Sequence, residues 1–179
     1  LHHTHWIVNE AIDFLTRRDP TRPFFLVVSF RAAHPPLHPP AFYFERYLRT
    51  GVPEPCIGDW AVPPETAGFG PDPGVGVPFE LSGEALLSTR AAYYGLINHV
   101  DDEIRRMFHP LDGIDRATNG NTAVVFCSDH GEMLGDHYLW RKCHAYEGSA
   151  HIPCIIRPPL SEEYPRGLQC EMAVSLEDL

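Results

Sequence analysis

Apolar residues at Trp6, Ile7, Ala11, Phe14 and Leu15 recur at helical spacing and predict an amphipathic helix over residues 4–18, closed by Asp19-Pro20. The continuous apolar run "FFLVVSF" after Pro23 has strand length, and a run without alternation suits a strand buried on both faces, as in a parallel sheet. "RAAHPPLHPP" is extended and stiff, because each proline biases its predecessor away from the helical region. A short helix is expected over Ala41 to Arg49. From Ala85 a long helix follows, with Tyr93, Ile97, Val100, Ile104 and Met107 or Phe108 on one apolar stripe, and with Arg90, Asp102, Arg105 and Arg106 largely off it. Asn119-Gly120-Asn121 reads as a turn, "TAVVFCS" as a second strand and "IPCIIR" as a third.

Helix, strand, helix, strand, loop, strand is an α/β alternation. The fold class it predicts is α/β, a mostly parallel sheet flanked by helices. Residues 1–179 read as a single domain. The Pro/Gly-rich stretch 51–84 is a loop insertion within it rather than a boundary, and a connection that long is often functional.

Composition narrows the function classes. The chain has 179 residues, 44% of them hydrophobic, and a formal charge of −10. Such a charge argues against a nucleic-acid binder, which needs a basic face, yet Arg141 with Lys142 could form a local anion pocket. Five cysteines without a CxxC pair argue against a disulfide scaffold and a cysteine-based zinc site, and assign no compartment. No stretch approaches the roughly 18 apolar residues of a membrane span. "LHHTHW" at one end and "AVSLEDL" at the other read as cuts within a larger protein.

The chemistry concentrates in "SDHGEMLGDHYLWRKCHAYEGSAHIPCII", between the second and third strands. In α/β folds, ligands bind in loops beyond the carboxyl ends of strands. Asp129 and His130 leave the strand together, and a carboxylate beside an imidazole is an ordinary ligand pair for a divalent cation. Gly131 lets the backbone turn sharply behind them. Further along, Lys142 offers three donors to an anionic oxygen. Metal ligands plus a positive clamp are what hydrolysis of a sulfate or phosphate ester requires. Read singly, "SDHG" could be a simple turn, Lys142 a solvated side chain, and His130 a buried, hydrogen-bonded histidine.

In order and spacing, this stretch resembles the sulfatase family of the alkaline-phosphatase superfamily, whose members carry SDHGxxLGxH, a downstream Lys, and YExSxxxP leading into a strand. "RPFFLVVSFRAAHPPLHPP" is similar to the family's strand followed by a His-x-Pro element, "YYGLINHVDDEIRRMF" to its helix with a Val-Asp pair, and "PEPCIGDWA" to a loop of one arylsulfatase-like branch. The resemblance implies an alkaline-phosphatase-like fold. It implies that Asp129 and His130 are two ligands of a divalent metal, most often Ca2+ with Mn2+ or Mg2+ as alternatives. It gives Lys142 to the ester oxygens and His34 to the leaving group, both as catalytic and substrate-binding residues, and it makes His137 a substrate-binding or loop-orienting position. Glu132, Tyr146 and Glu147 are expected to fix the loop.

One departure is large. The family's formylglycine nucleophile comes from a C/S-x-P/A-x-R motif, and Cys56 (before Ile-Gly-Asp) and Cys127 (before Ser-Asp-His) do not fit it. The first pair of acidic metal ligands is missing as well. The resemblance therefore implies the second half of a catalytic domain: part of a sulfuric ester hydrolase acting on sulfate esters, inactive alone, and self-associating or packing against the missing half. Two rivals stand beside it. A phosphonate monoester or phosphodiester hydrolase would use the same loop. A non-catalytic metal-binding module would use some of the eleven histidines, His2, His3 and His5 foremost.

Overall fold

The computed structural model describes residues 2–64, 79–117 and 120–179. In chain order these form α1 (His3–Arg17), α2 (Ala41–Thr50), α3 (Gly83–Ala117), β1 (Val124–Cys127), a 3-10 turn (Asp136–Tyr138), the one-turn α4 (Glu147–Ala150), β2 (Cys154–Arg157) and a C-terminal 3-10 turn (Leu176–Asp178). The 51–84 insertion falls partly outside the described residues.

Helix α3 is the spine, with α1 and α2 packed against it. The helix expected at 4–18 forms, but its buried face is Thr4, Val8, Ala11 and Leu15, while Trp6 and Phe14 are substantially exposed. Positions 4, 8, 11 and 15 keep helical spacing, so the contact with α3 runs along smaller side chains that allow the axes closer. On α3 the buried positions include Ala91, Ala92, Leu96, His99 and Glu103. At Gly95 an added Cβ would stand 3.2 Å from Pro39 and 3.3 Å from the Tyr43 backbone, so α2 approaches α3 closely there. The apolar stripe predicted for α3 faces elsewhere: Tyr93, Ile97 and Val100 line an open cleft.

The expected mostly parallel sheet is corrected. Among the described residues the sheet has two strands, β1 and β2, running antiparallel with Val124 opposite Arg157 and Cys127 opposite Cys154. An apolar run carries no direction. The 128–153 connection returns through turns rather than a long crossover helix, and a parallel pair would need such a crossover. The run at 24–30 is extended but has no strand partner among the described residues. It alternates rather than being buried on both faces: Phe24, Leu26, Val28 and Phe30 are half-buried, while Phe25 is 90% and Val27 71% exposed. Val125, Phe126, Ile155 and Ile156 of the two strands are exposed as well.

Part-buried polar contacts tie these parts together. Arg157 of β2 donates to Asp115 near the end of α3 at 2.7 Å, and Asp115 is fully buried. Glu103 of α3 accepts from Arg106 at 2.6 Å and meets His5 of α1 at 2.8 Å. Asp102, mid-helix, accepts from the Tyr43 hydroxyl of α2 at 2.9 Å.

Candidate functional site

Strand β1 ends at Cys127, and the backbone that follows is folded back on itself. The Gly131 amide donates to the Ser149 carbonyl at 2.8 Å, Met133 to Arg141 at 2.9 Å, and Gly135 to Leu139 at 2.9 Å. The side chains of Met133, Leu134 and Trp140 are buried, and the Trp140 indole donates to the Phe79 carbonyl at 3.0 Å. The loop's apolar residues thus form its own small core, with its charged residues on the outside. The Glu132 carboxylate accepts from the backbone amides of Arg141 and Leu134, so it closes the loop as expected.

Arg90 of α3 reaches into this loop. Its guanidinium is buried, donates to the Leu134 carbonyl at 2.6 Å, and lies 3.6 Å from Asp136. Asp136 in turn accepts from the Cys56 amide at 3.0 Å. Leu134, His137, Tyr138, Arg141 and Cys143 all have positive φ between 50° and 74°. Non-glycine residues adopt that region only where surrounding contacts over-determine the chain, and such strain gathers at functional loops.

At Gly131 the requirement is close approach rather than a sharp turn. A Cβ there would stand 2.2 Å from the Gly148 carbonyl oxygen. Only a glycine lets the Asp129–His130 arm lie directly on the 148–149 backbone.

The sequence-derived residues fall in two places. His34, Asp129, His130 and Lys142 line one cleft, and the His34 and His130 rings are 6.3 Å apart. His130 Nδ1 donates to the Gly131 carbonyl at 2.8 Å, which leaves the lone pair on Nε2. The Lys142 ammonium donates into that lone pair at 2.7 Å, and an Asp129 oxygen lies 3.5 Å from it. The Asp129 side chain is 82% exposed to the cleft. His34 Nδ1 donates to the Pro35 carbonyl at 2.8 Å, which orients the ring with Nε2 as its free nitrogen.

His137 sits apart. It accepts from the Gly58 amide at 2.9 Å, and its own amide donates to the Cys56 carbonyl at 2.8 Å. Its ring packs 4.7 Å from Trp60 and 5.1 Å from Tyr146. Those contacts hold the 53–61 segment against the loop.

Arg31, Arg141 and Tyr93 also line the cleft. Burial, reinforced by the nearby Glu132 carboxylate, pushes the Tyr93 phenol up to about 12, so it stays a neutral donor. Helical spacing sets Tyr93 on an apolar stripe, and only the folded chain reveals it as cleft-lining. The cavity measures about 1940 Å³. That exceeds the roughly 300–1,000 Å³ of a finished small-molecule pocket, so the cleft is an open groove.

A cation suits part of this arrangement. The Nε2 lone pair of His130 beside the Asp129 carboxylate is a two-donor edge, occupied here by one positive charge, that of Lys142. Among the described residues, no group of three or more His, Cys, Asp or Glu side chains is arranged to hold a metal. The N-terminal histidines serve α1 instead: His2 accepts from the Thr4 amide and meets the His38 carbonyl, and His5 pairs with Glu103.

Comparison with known proteins matches residues 2–171 to the sulfatase family model. The chain is 46% identical over 159 residues to an arylsulfatase of Clostridium perfringens (strain 13 / Type A), covering 89% of this chain and 32% of that protein. It is 36% identical over 168 residues to the uncharacterized sulfatase YidJ of Escherichia coli (strain K12), covering 88% and 31% respectively. Among solved structures it superposes on the phosphonate monoester hydrolase of Agrobacterium radiobacter with a TM-score of 0.68 and 27% identity, over 88% of this chain and 33% of that one. The chain spans about a third of the length of these two curated relatives.

Proposed function

The chain belongs to the sulfatase family, and from that premise we propose that it carries half of the active site of a metal-dependent sulfuric ester hydrolase of the arylsulfatase kind. The observation that carries the reading is the gathering of His34, Asp129, His130 and Lys142 on one cleft of a chain whose overall charge is −10. Asp129 and His130 would hold a divalent cation, Ca2+ first and Mn2+ or Mg2+ as alternatives. When bound, that cation supplies Lewis-acid polarisation of an ester oxygen. Lys142 neutralises charge developing on the ester oxygens. In its doubly protonated form His34 keeps its Nδ1–H on the Pro35 carbonyl and gives the Nε2 proton to the departing oxygen. Arg31 and Arg141 draw the anionic substrate into the groove.

The nucleophile and further metal ligands belong, on this reading, to another part of the parent protein, since none of the 179 residues forms a C/S-x-P/A-x-R motif. This chain alone would then hold ligand residues without turnover. The expected substrate is a sulfate ester.

A second reading, a phosphonate monoester or phosphodiester hydrolase, is favoured by the superposition on a phosphonate monoester hydrolase. The same clamp serves a phosphoryl centre. Paired assays of the full-length protein on an aryl sulfate, an aryl phosphonate monoester and a phosphodiester separate the two. Sulfate turnover leading the other substrates supports the proposal. Phosphonate or diester turnover leading sulfate turnover supports the second reading. No Lys142-dependent turnover of any of them sinks both.

A further inference from the structure

The five cysteines are unbridged thiols, all exposed. Two of them are not independent. Cys127 is the last residue of β1, Cys154 the first of β2, and they are opposite one another in the antiparallel register. Directly opposed residues of an antiparallel pair project from the same face of the sheet. Their Cα atoms lie about 4.5–5.5 Å apart whichever kind of ladder position they occupy. A disulfide accepts Cα separations of about 4.4–6.8 Å, so the Cα spacing of this rung falls within the range a disulfide spans. Among the described residues no other pair of cysteines shares a rung: Cys56, Cys143 and Cys170 lie outside both strands.

The position of this rung gives it consequence. The loop bearing Asp129, His130 and Lys142 leaves the sheet at Cys127 and returns at Cys154. Cys127 lines the cleft itself, as does Pro153 beside Cys154. A bond between the two sulfurs would close the whole loop into a covalent ring at its base.

We propose that Cys127 and Cys154 form a redox-responsive disulfide that clamps the base of the 128–153 loop. The oxidant is a peroxide or a low-molecular-weight disulfide. With hydrogen peroxide, one thiol is oxidised to a sulfenic acid as the O–O bond breaks and one water leaves. The second sulfur then attacks the sulfenic sulfur, the S–S bond forms, the S–O bond breaks, and a second water carries off the oxygen and the remaining proton. Two thiols lose two electrons in all and the peroxide gains them. A dithiol reductant reverses the bond by exchange. The proposal does not depend on the substrate assignment.

The test treats the full-length protein, reduced and then exposed to mild peroxide, with trypsin and chymotrypsin under non-reducing conditions, and reads the peptides by mass. Trypsin cuts at Arg141 and Lys142, which separates Cys127 from Cys154, and chymotrypsin cuts after Tyr146, which separates Cys154 from Cys143. The expected result is a joined pair containing Cys127 and Cys154, lighter than its reduced halves by two hydrogens and split by dithiothreitol. Cys154→Ser should abolish the pair, and Cys127→Ser independently should do the same. Cys143→Ser should leave it intact, which keeps the test sound if one variant folds poorly. Recovery of Cys127 and Cys154 as separate thiols or sulfinic acids, or of either joined chiefly to another cysteine, overturns the proposal.

Discussion

The Lys142 ammonium donates to His130 Nε2 across 2.7 Å, joining the positive clamp of the cleft directly to a proposed metal ligand. The single Nε2 lone pair is taken by Lys142, so a cation seated on that nitrogen would have to release the ammonium into the cleft. A donor aimed at charge that develops during reaction is worth far more than one that merely binds the substrate. For Lys142→Ala in the full-length enzyme we expect kcat on an aryl sulfate to fall about 10²–10³-fold. Steady-state kinetics check this, and a rise in KM with kcat unchanged would show Lys142 to be a binding residue only.

Gly131 sets the seat of the Asp129–His130 arm, because a Cβ there would meet the Gly148 carbonyl at 2.2 Å. That contact is backbone against backbone and cannot be relieved by a rotamer. Gly131→Ala should destabilise by about 1–3 kcal/mol, the usual range for overpacking. It should also lower metal affinity by displacing Asp129 and His130. Denaturant melts and calcium titration of the variant measure both, and an unchanged midpoint would show that the 148–149 backbone yields freely.

Acid should loosen the clasp between α1 and α3. Burial would raise the Glu103 carboxyl, but the bonds from His5 and Arg106 outweigh it and hold the pKa below its ordinary 4.5. Burial, with His2 beside it, lowers His99 below its ordinary 6.5. A depressed acid lends stability above its unfolded pKa and loses it as pH falls through the folded value. A depressed base is protonated first in the unfolded chain, so stability falls as pH drops below 6.5. Both effects have the same sign. Thermal midpoints should decline from neutral pH in two stages, first through His99 and then below about 4.5 through Glu103. Glu103→Gln should remove the second stage; a midpoint flat to acid in the wild type would contradict the assignment.

Phe25, Val27, Val125, Phe126, Ile155 and Ile156 present apolar surface with no covering layer among the described residues. Open strands and patches of this kind recruit other chains. At micromolar concentration the isolated chain should scatter light as a dimer or larger species and bind an apolar dye. A monodisperse monomer with no dye binding would show the faces to be covered in solution.

Local chemistry made much of this protein legible from the chain. The three long helices follow from apolar spacing and proline punctuation, because a helix period is written in contiguous residues. The apolar runs that became β1 and β2 were legible for the same reason, as was the crowding of Asp129, His130 and Lys142 between them. Tertiary structure alone decided the rest. Strand direction is absent from an apolar run, so the antiparallel register of Val124 with Arg157 could not be read from it. The choice of buried face on α1 fell to Thr4 and Val8 over Trp6, because the depth of helix packing depends on the partner surface. Arg90, which reads as a polar residue off the stripe, became the buried brace of Leu134 and Asp136. His34 and Lys142 came to one cleft, while His137, within the same motif as Asp129 and His130, turned away to Trp60 and Tyr146. Sequence order sets which groups a loop carries. The direction each one points is set by contacts with segments far along the chain, and those exist only once the chain has folded.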